Sequence, residues 1–223
     1  MEKNRFIEKG IILNKDAIFS FFSEKTNKFY KLENTNSWPL LEISGIKMHF
    51  SKNISVKDSV QKMTDNLQAK GIVLDCCTGL GYCAILLARN PKVQKVHSFE
   101  IDENVLETAK HNSFSTELFK SKKISLKNGD VCEEILKFPK EFFDSILLDP
   151  PSFLIAKNLY SEKFYTEIFR VLKHGGNFLH YFGSPGIVKG NNFKSKVFSK
   201  LENIGFKNLE FVEEIKSVKA VKP

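Results

Sequence analysis

The sequence predicts an α/β fold, a doubly wound and mostly parallel sheet of seven strands with a small β-hairpin and helix extension in front. Three observations carry this reading. From about residue 71, strand-like and helix-like segments alternate, the pattern of a parallel sheet covered on both faces. The first of these strands runs into "CCTGLGY", an abrupt loop with two glycines that opens an apolar helix. The chain then closes on two short strand-like runs, "KNLEFVEEIKSVKAVKP", which suit a terminal hairpin.

Each element has a local reason. "GIVLDCC" (71–77) is an apolar strand, and "TGLGYCAILLARN" (78–90) a helix carrying Ile85, Leu86 and Ala88 that stops at Asn90-Pro91. "KVHSFEI" is the second strand. "DENVLETAKHNSF" (102–114) is a helix whose acidic first turn suits the positive end of the helix dipole. "KISLKNGD" is the third strand. "FFDSILLDPP" is the fourth, ended by two prolines that cannot continue a ladder. "YSEKFYTEIFRVL" (160–172) is a helix closed by "KHGG", a basic residue and then glycine at the C-cap. "NFLHYFG" is the fifth strand and "NNFKSKVFSKLENIGF" the last helix.

Residues 1–70 form the extension and 71–223 the ligand-binding domain. In the extension, "WPLLEISGIKMHF" places Ser44-Gly45 between two strand-like runs, a hairpin signal. "SVKDSVQKMTDNL" (55–67) reads as a helix leading into the core, with an alternative start near Ser59. The stretch before residue 38 is rich in Phe and Lys and yields no assigned element.

A length of 223 residues suits one α/β domain with an addition rather than two full domains. Hydrophobic residues make up 42% and charged residues 27%, enough for a large core and a solvated surface. No run approaches the ~18 apolar residues of a membrane span, and the charged start leads into no signal-type segment, so a cytoplasmic protein is expected. The four cysteines, 76, 77, 83 and 132, show no C-x-x-C spacing and read as reduced, packing thiols; no metal is expected. The net charge of +8 favours anionic partners. Clusters at Lys120, Lys122 and Lys123, and at Lys194, Lys196 and Lys200, admit RNA binding and a plain solvated surface equally.

Two ligand classes compete for the loop. "GLGYCA" satisfies G-x-G-x-x-A, with Glu100 about 20 residues on, as a dinucleotide site asks. Yet in a dinucleotide site the first glycine follows the strand almost directly, because the pyrophosphate must reach the helix N-terminus. Here Asp75, Cys76, Cys77 and Thr78 precede Gly79. A fixed carboxylate at Asp75 repels pyrophosphate and suits a ligand bearing an ammonium and a sulfonium.

The ordered landmarks "LDCCTGLG", "FEID", "NGDV" and "LLDPPSF" resemble the class I S-adenosylmethionine-dependent methyltransferases over roughly residues 71–215. "CCTGLGY", "DPPSF" and "FLHY" look closest to an archaeal-type group of predicted methyltransferases. The resemblance implies S-adenosylmethionine as cofactor and assigns its contacts. Gly79 and Gly81, with Thr78 before them, let the backbone approach the methionine part, and Asp75 orients its ammonium. Glu100 accepts from both ribose hydroxyls. Ile101 packs on the adenine, Asp130 accepts from its amino group, and Val131 offers a backbone amide.

"DPPS" resembles the [D/N]-P-P-x motif of amino and RNA methyltransferases, so Asp149 and the Pro150 carbonyl are expected to grip an acceptor nitrogen. The departure is Ser152, which stands where an aromatic usually follows Pro-Pro; Phe153 comes next. His180 and Tyr181, at the end of the fifth strand, are candidates for positioning the acceptor or relaying a proton. Tyr30, Trp38 and His49 are candidates for the pocket wall, with Trp38 better suited to a buried structural role. Covalent C5 methylation is disfavoured, since no cysteine follows Cys132. Two other readings stand beside methyl transfer: an aminopropyltransferase using decarboxylated S-adenosylmethionine, and a cofactor-binding subunit without catalysis. Acidic groove residues expected of the aminopropyltransferases fit a net basic chain poorly.

Overall fold

The computed structural model describes residues 17–49, 53–182 and 193–223. The chain opens with a four-stranded antiparallel sheet in sequential order: β1 (Ala17–Ser23), β2 (Lys28–Glu33), β3 (Leu40–Ile43) and β4 (Ile46–Lys47). The Ser44-Gly45 turn joins β3 and β4 as expected, with both residues at positive φ. The Phe- and Lys-rich stretch before it supplies a second hairpin from residue 17 onward. Alternation explains it: Phe19, Tyr30 and Leu32 face inward, while Ile18 and Phe22 stay exposed. Residues 1–16 lie outside the described residues.

Helix α1 (Val56–Leu67) starts at its Ser55 cap, whose hydroxyl accepts from the Asp58 amide at 3.0 Å; the alternative start at Ser59 is not used. The main sheet follows: β5 (Gly71–Asp75), β6 (Val93–Glu100), β7 (Ile124–Asn128), β8 (Phe143–Leu148), β9 (Leu172–Tyr181), β10 (Lys207–Val212) and β11 (Ser217–Val221). Its order is β10-β11-β9-β8-β5-β6-β7. The five strands from β5 to β9 run parallel, and β11 pairs antiparallel with β9 and with β10, giving the expected closing hairpin. This is the class I methyltransferase arrangement.

Helices α2 (Tyr82–Arg89), α3 (Glu103–Lys110), α4 (Thr116–Lys120), α5 (Val131–Glu134), α6 (Glu162–Val171) and α7 (Phe193–Ile204) complete the crossovers. Val73, Leu147 and Leu179 pack in one core with residues of α1 and α2; Leu74, Ile146 and Phe178 pack in the other with α6 and α7. Adjacent residues of each strand thus feed opposite faces, as a doubly wound sheet requires.

Three local expectations differ. The helix expected over 102–114 ends at Lys110, because Asn112 turns to cap a 3₁₀ turn at Phe114. "KHGG" does not cap α6: Leu172 is already extended, and Lys173–Gly176 belong to β9, with Gly175 at φ +69°. Short α5 occupies the link between β7 and β8, where no helix was anticipated; the Asp130 side chain caps it, accepting from the Cys132 amide at 2.8 Å.

The parallel register brings the C-terminal ends of four strands to one edge. Asp75 pairs with Ser98 of β6 and Leu147 of β8, and Glu100 pairs with Asn128 of β7. Asp149 follows β8 directly. This is the edge at which open α/β sheets bind ligands.

Candidate active site

A cavity of about 690 Å³ opens at that edge, within the range of small-molecule and cofactor sites. One half is built from Cys76–Gly79, Glu100–Asp102 and Gly129–Cys132. The other is walled by Asp149–Pro151 and Leu154–Leu159 on one side, and by Ile43, Ile46, Met48 and His49 of the N-terminal sheet region on the other. The extension therefore supplies a wall of the site.

Behind the first half lies a buried polar network. Ser98 Oγ donates to Asp75 Oδ2 at 2.6 Å, and the Thr78 and Ser98 hydroxyls are 2.6 Å apart. Since the Ser98 proton goes to Asp75, Thr78 is the donor of that second bond. Asp75 is fully buried behind the loop rather than on the cavity wall, and its Oδ1 has no hydrogen-bond partner. An orphaned carboxylate oxygen in the interior is costly unless a donor reaches it. Burial pushes the Asp75 carboxyl up to about 6, against the Ser98 hydrogen bond.

Glu100 shapes the loop itself. Its Oε2 accepts from the Gly79 amide at 2.9 Å and its Oε1 from the Asp102 amide at 3.0 Å, leaving each oxygen a further lone pair. Burial raises its carboxyl to about 7, with the two backbone bonds opposing the shift. The two glycines have different tasks. Gly79, at φ +55°, has open space where a Cβ would stand, on the cavity wall. Gly81, at φ +82°, is not on that wall; a Cβ there would lie 2.5 Å from Leu118 Cδ2, so α4 packing demands the glycine. Ile101 lines the cavity and is 68% exposed, a large apolar surface facing the opening. Val131 and Asp130 complete that side.

Asp149, just past the end of β8, lines the cavity. It is half-buried, takes no hydrogen bond from the described residues, and is pushed up to about 7 by burial and by the charge of Asp75. The Tyr160 hydroxyl donates to the Pro151 carbonyl at 2.8 Å and fixes the Pro-Pro turn. No described residue donates to the Pro150 carbonyl.

His180 is a correction. It is fully buried, absent from the cavity wall, and saturated: Nδ1 lies 3.3 Å from the Leu148 carbonyl and Nε2 3.0 Å from the Tyr165 hydroxyl. The carbonyl can only accept, so Nδ1 carries the proton and Nε2 accepts. Burial lowers its pKa to about 3, which fixes the neutral ring. It is a core histidine and cannot reach an acceptor. Phe153 is likewise turned away from the cavity, with its ring 5.6 Å from Tyr160 and 5.4 Å from Phe193. Of the three N-terminal candidates, His49 lines the cavity, its Nδ1 accepting from the Leu41 amide at 3.3 Å. Tyr30 donates to Asp102 at 2.6 Å, and Trp38 packs 4.9 Å from Tyr82.

All four cysteines are free and line the cavity, and burial raises every thiol. They are protonated packing groups rather than nucleophiles. Among the described residues no cluster of His, Cys, Asp and Glu could hold a metal, and no helix is long and apolar enough to cross a membrane.

Three carboxyls with raised pKa values at one edge give a pH signature. Free in an unfolded chain they titrate near 4. In the folded protein they hold their protons up to about 6 for Asp75 and about 7 for Glu100 and Asp149. Their contribution to stability is thus fully present below the unfolded value and is lost as pH rises through 6 to 7. A cationic ligand has the opposite preference, since it binds the ionised forms. S-adenosylmethionine affinity should therefore rise between about pH 5 and 8 while the free protein's melting temperature falls, with protons released on binding. Calorimetry in buffers of different ionisation enthalpy, beside thermal melts, checks both signs.

This donor set fits a ligand with positive charge, a diol and an apolar ring, and disfavours pyrophosphate, which three carboxyls would repel. Fold and site together define a class I S-adenosylmethionine-dependent methyltransferase. Residues 73–176 match the family model described as a methyltransferase domain. The chain belongs to the same family as an uncharacterized protein, MJ1233, of Methanocaldococcus jannaschii. The two are 44% identical over 200 residues, spanning 88% of this chain and 68% of the relative. Among solved structures, a spermidine synthase from Thermotoga maritima superposes with a TM-score of 0.68 at 17% identity, over 93% of this chain and 73% of that one. A SAM-dependent methyltransferase from Archaeoglobus fulgidus gives 0.55 at 13% identity, over 75% and 93%. At such identities the likeness is one of fold.

Proposed function

We propose that the protein methylates a nitrogen of an RNA base, with residues 1–70 serving the acceptor side. The observation that carries this reading is Asp149: a half-buried carboxyl on the cavity wall with no hydrogen-bond partner among the described residues, next to the Pro150 carbonyl, to which no described residue donates. An NH2 group placed there donates one hydrogen to the carboxylate and one to the carbonyl, which turns the nitrogen lone pair toward the cofactor half. The cofactor supplies a methyl on an already activated sulfur. Alignment by Asp149 and Pro150 is then the main contribution, and no strong base is needed.

In the cofactor half, Asp75 stands behind the loop and acts on the ammonium through a water at its free Oδ1, while Glu100 uses its remaining lone pairs for the ribose hydroxyls. Gly79 leaves room for the methionine part. Ile101 and Val131 hold the adenine, with Asp130 accepting from its amino group. Thr78 holds the loop to Ser98, and Gly81 shapes the turn without touching the ligand. The net charge of +8 supports a polyanionic acceptor. The motifs "CCTGLGY", "DPPSF" and "FLHY" favour membership of the archaeal-type group they resemble, and four free thiols favour a reducing, cytoplasmic setting.

A second reading has one observation in its favour. The spermidine synthase superposition covers 93% of the chain, so it takes in the N-terminal sheet. Aminopropyl transfer would need a polyamine-binding wall, yet among the described residues the acceptor half offers a single carboxyl, Asp149, beside Lys28, Lys157, Ser44, His49, Asn158 and apolar side chains. The test is transfer of labelled methyl from S-adenosylmethionine to total cellular RNA. Labelled RNA supports the proposal; transfer from decarboxylated S-adenosylmethionine to a diamine instead would establish the second reading.

A further inference from the structure

We infer that the mouth of the cavity is an entry site for single-stranded RNA, held by Lys28 and Lys157 and stacked on Ile46, Leu154 and Ile155. The inference rests on the RNA reading above and names the residues that would recognise that acceptor. Of the ten large apolar side chains that stay exposed among the described residues, four line this one cavity: Ile101, given above to the cofactor half, and Leu154 at 81%, Ile155 at 51% and Ile46 at 50% exposure. Ile46 stands on the N-terminal sheet and Leu154 and Ile155 on the loop after Pro151, so two apolar jaws face the opening. Unpaired bases can lay their flat faces on such aliphatic side chains and so leave water without regard to sequence, whereas duplex bases are already stacked on one another.

The charges agree. Lys28 begins β2 and Lys157 follows the apolar loop, so each jaw carries one cation at the same cavity. Neither makes an ion pair or hydrogen bond with a described residue. The lysine clusters conspicuous in the sequence are partly consumed inside the fold. Lys123 donates to the Asn90 and Val93 carbonyls, Lys200 to the Tyr160 carbonyl, and Lys194 lies 3.8 Å from the Phe211 ring centroid. Two unengaged ammonium groups flanking an apolar slot match phosphates flanking an unstacked base.

The experiment is fluorescence anisotropy with a labelled mixed-sequence single-stranded RNA, alone and annealed to its complement, between about 50 and 200 mM salt. The wild-type protein should bind the single strand at least about tenfold more tightly than the duplex, through those apolar contacts. Lys28→Gln with Lys157→Gln should lower the salt slope by about 1.4, near 0.7 per lysine on a single strand. Leu154→Ser with Ile155→Ser should weaken the single strand alone and leave the duplex unchanged. S-adenosylhomocysteine affinity, measured on the same variants, should stay at the wild-type value and shows that they are folded. Tight RNA binding with an unchanged slope and no single-strand preference would overturn this entry site while leaving the RNA reading intact. Absence of RNA binding at the lowest salt would overturn both.

Discussion

Asp149→Ala should lower methyl-transfer turnover at least about 10²-fold and leave S-adenosylhomocysteine affinity nearly unchanged. The size follows from the division of labour at the site. The leaving group needs no activation, so most of what the protein can contribute is alignment of the attacking acceptor atom, a nitrogen on the reading proposed above. Among the described residues Asp149 is the one carboxyl lining the proposed acceptor half, and none of them hydrogen-bonds to it. The adenosine and ribose contacts are assigned to β6 and β7, on other strands. Loss of the half-buried, unpaired carboxyl also removes a desolvation cost, so the variant should melt no lower than the parent near neutral pH. Calorimetry with S-adenosylhomocysteine beside a radiolabelled turnover assay separates the outcomes. Full activity would reduce "DPPS" to a turn, and lost cofactor binding would move Asp149 into the cofactor pocket.

Glu100→Ala should weaken cofactor binding by at least roughly 1.5–3 kcal/mol, the value of a single hydrogen bond to a charged group. The structure gives this residue a second task. Both oxygens already accept from the Gly79 and Asp102 amides, so removal also strands two backbone donors of the loop. Glu100→Gln distinguishes the tasks: it keeps one carbonyl acceptor but presents an NH2 to the other donor. Both variants should lose affinity, with alanine losing more. Unchanged affinity in both would exclude Glu100 from the ribose site.

The repeating core was legible because its signals are local. Alternating strands and helices, the break at Asn90-Pro91 and the Pro-Pro stop after β8 each mark an element by chain chemistry alone. The carboxyls were legible because a parallel register carries strand ends to one edge. His180 was misplaced because position along a strand fixes the edge but not the face. Its parity with Phe178 and Phe182 puts it on the face that packs with α6 and α7, but Leu179 on the opposite face is just as buried, so no alternation in the sequence marked its burial. Of the walls of the second half, His49, Asp149 and Pro150 were legible and the rest were not. Ile43, Ile46 and Met48 reach the cavity only because the N-terminal sheet packs over the main domain, a tertiary fact that no local pattern carries. Tyr30 shows the connection: it spans from β2 to Asp102, which in turn donates its amide to Glu100. The glycines taught the same lesson at short range, since the sequence cannot tell one that opens a cavity from one that admits Leu118.

The central claim is that this edge binds S-adenosylmethionine as a methyl donor, and the most direct measurement is isothermal titration of the protein with S-adenosylmethionine, its decarboxylated form and NAD. The account predicts binding of S-adenosylmethionine that strengthens as pH rises through about 6 to 7, the values at which burial holds Asp75, Glu100 and Asp149. Decarboxylated S-adenosylmethionine should bind more weakly and NAD not measurably. Tight NAD binding without S-adenosylmethionine binding, or a clear preference for the decarboxylated form, would contradict it.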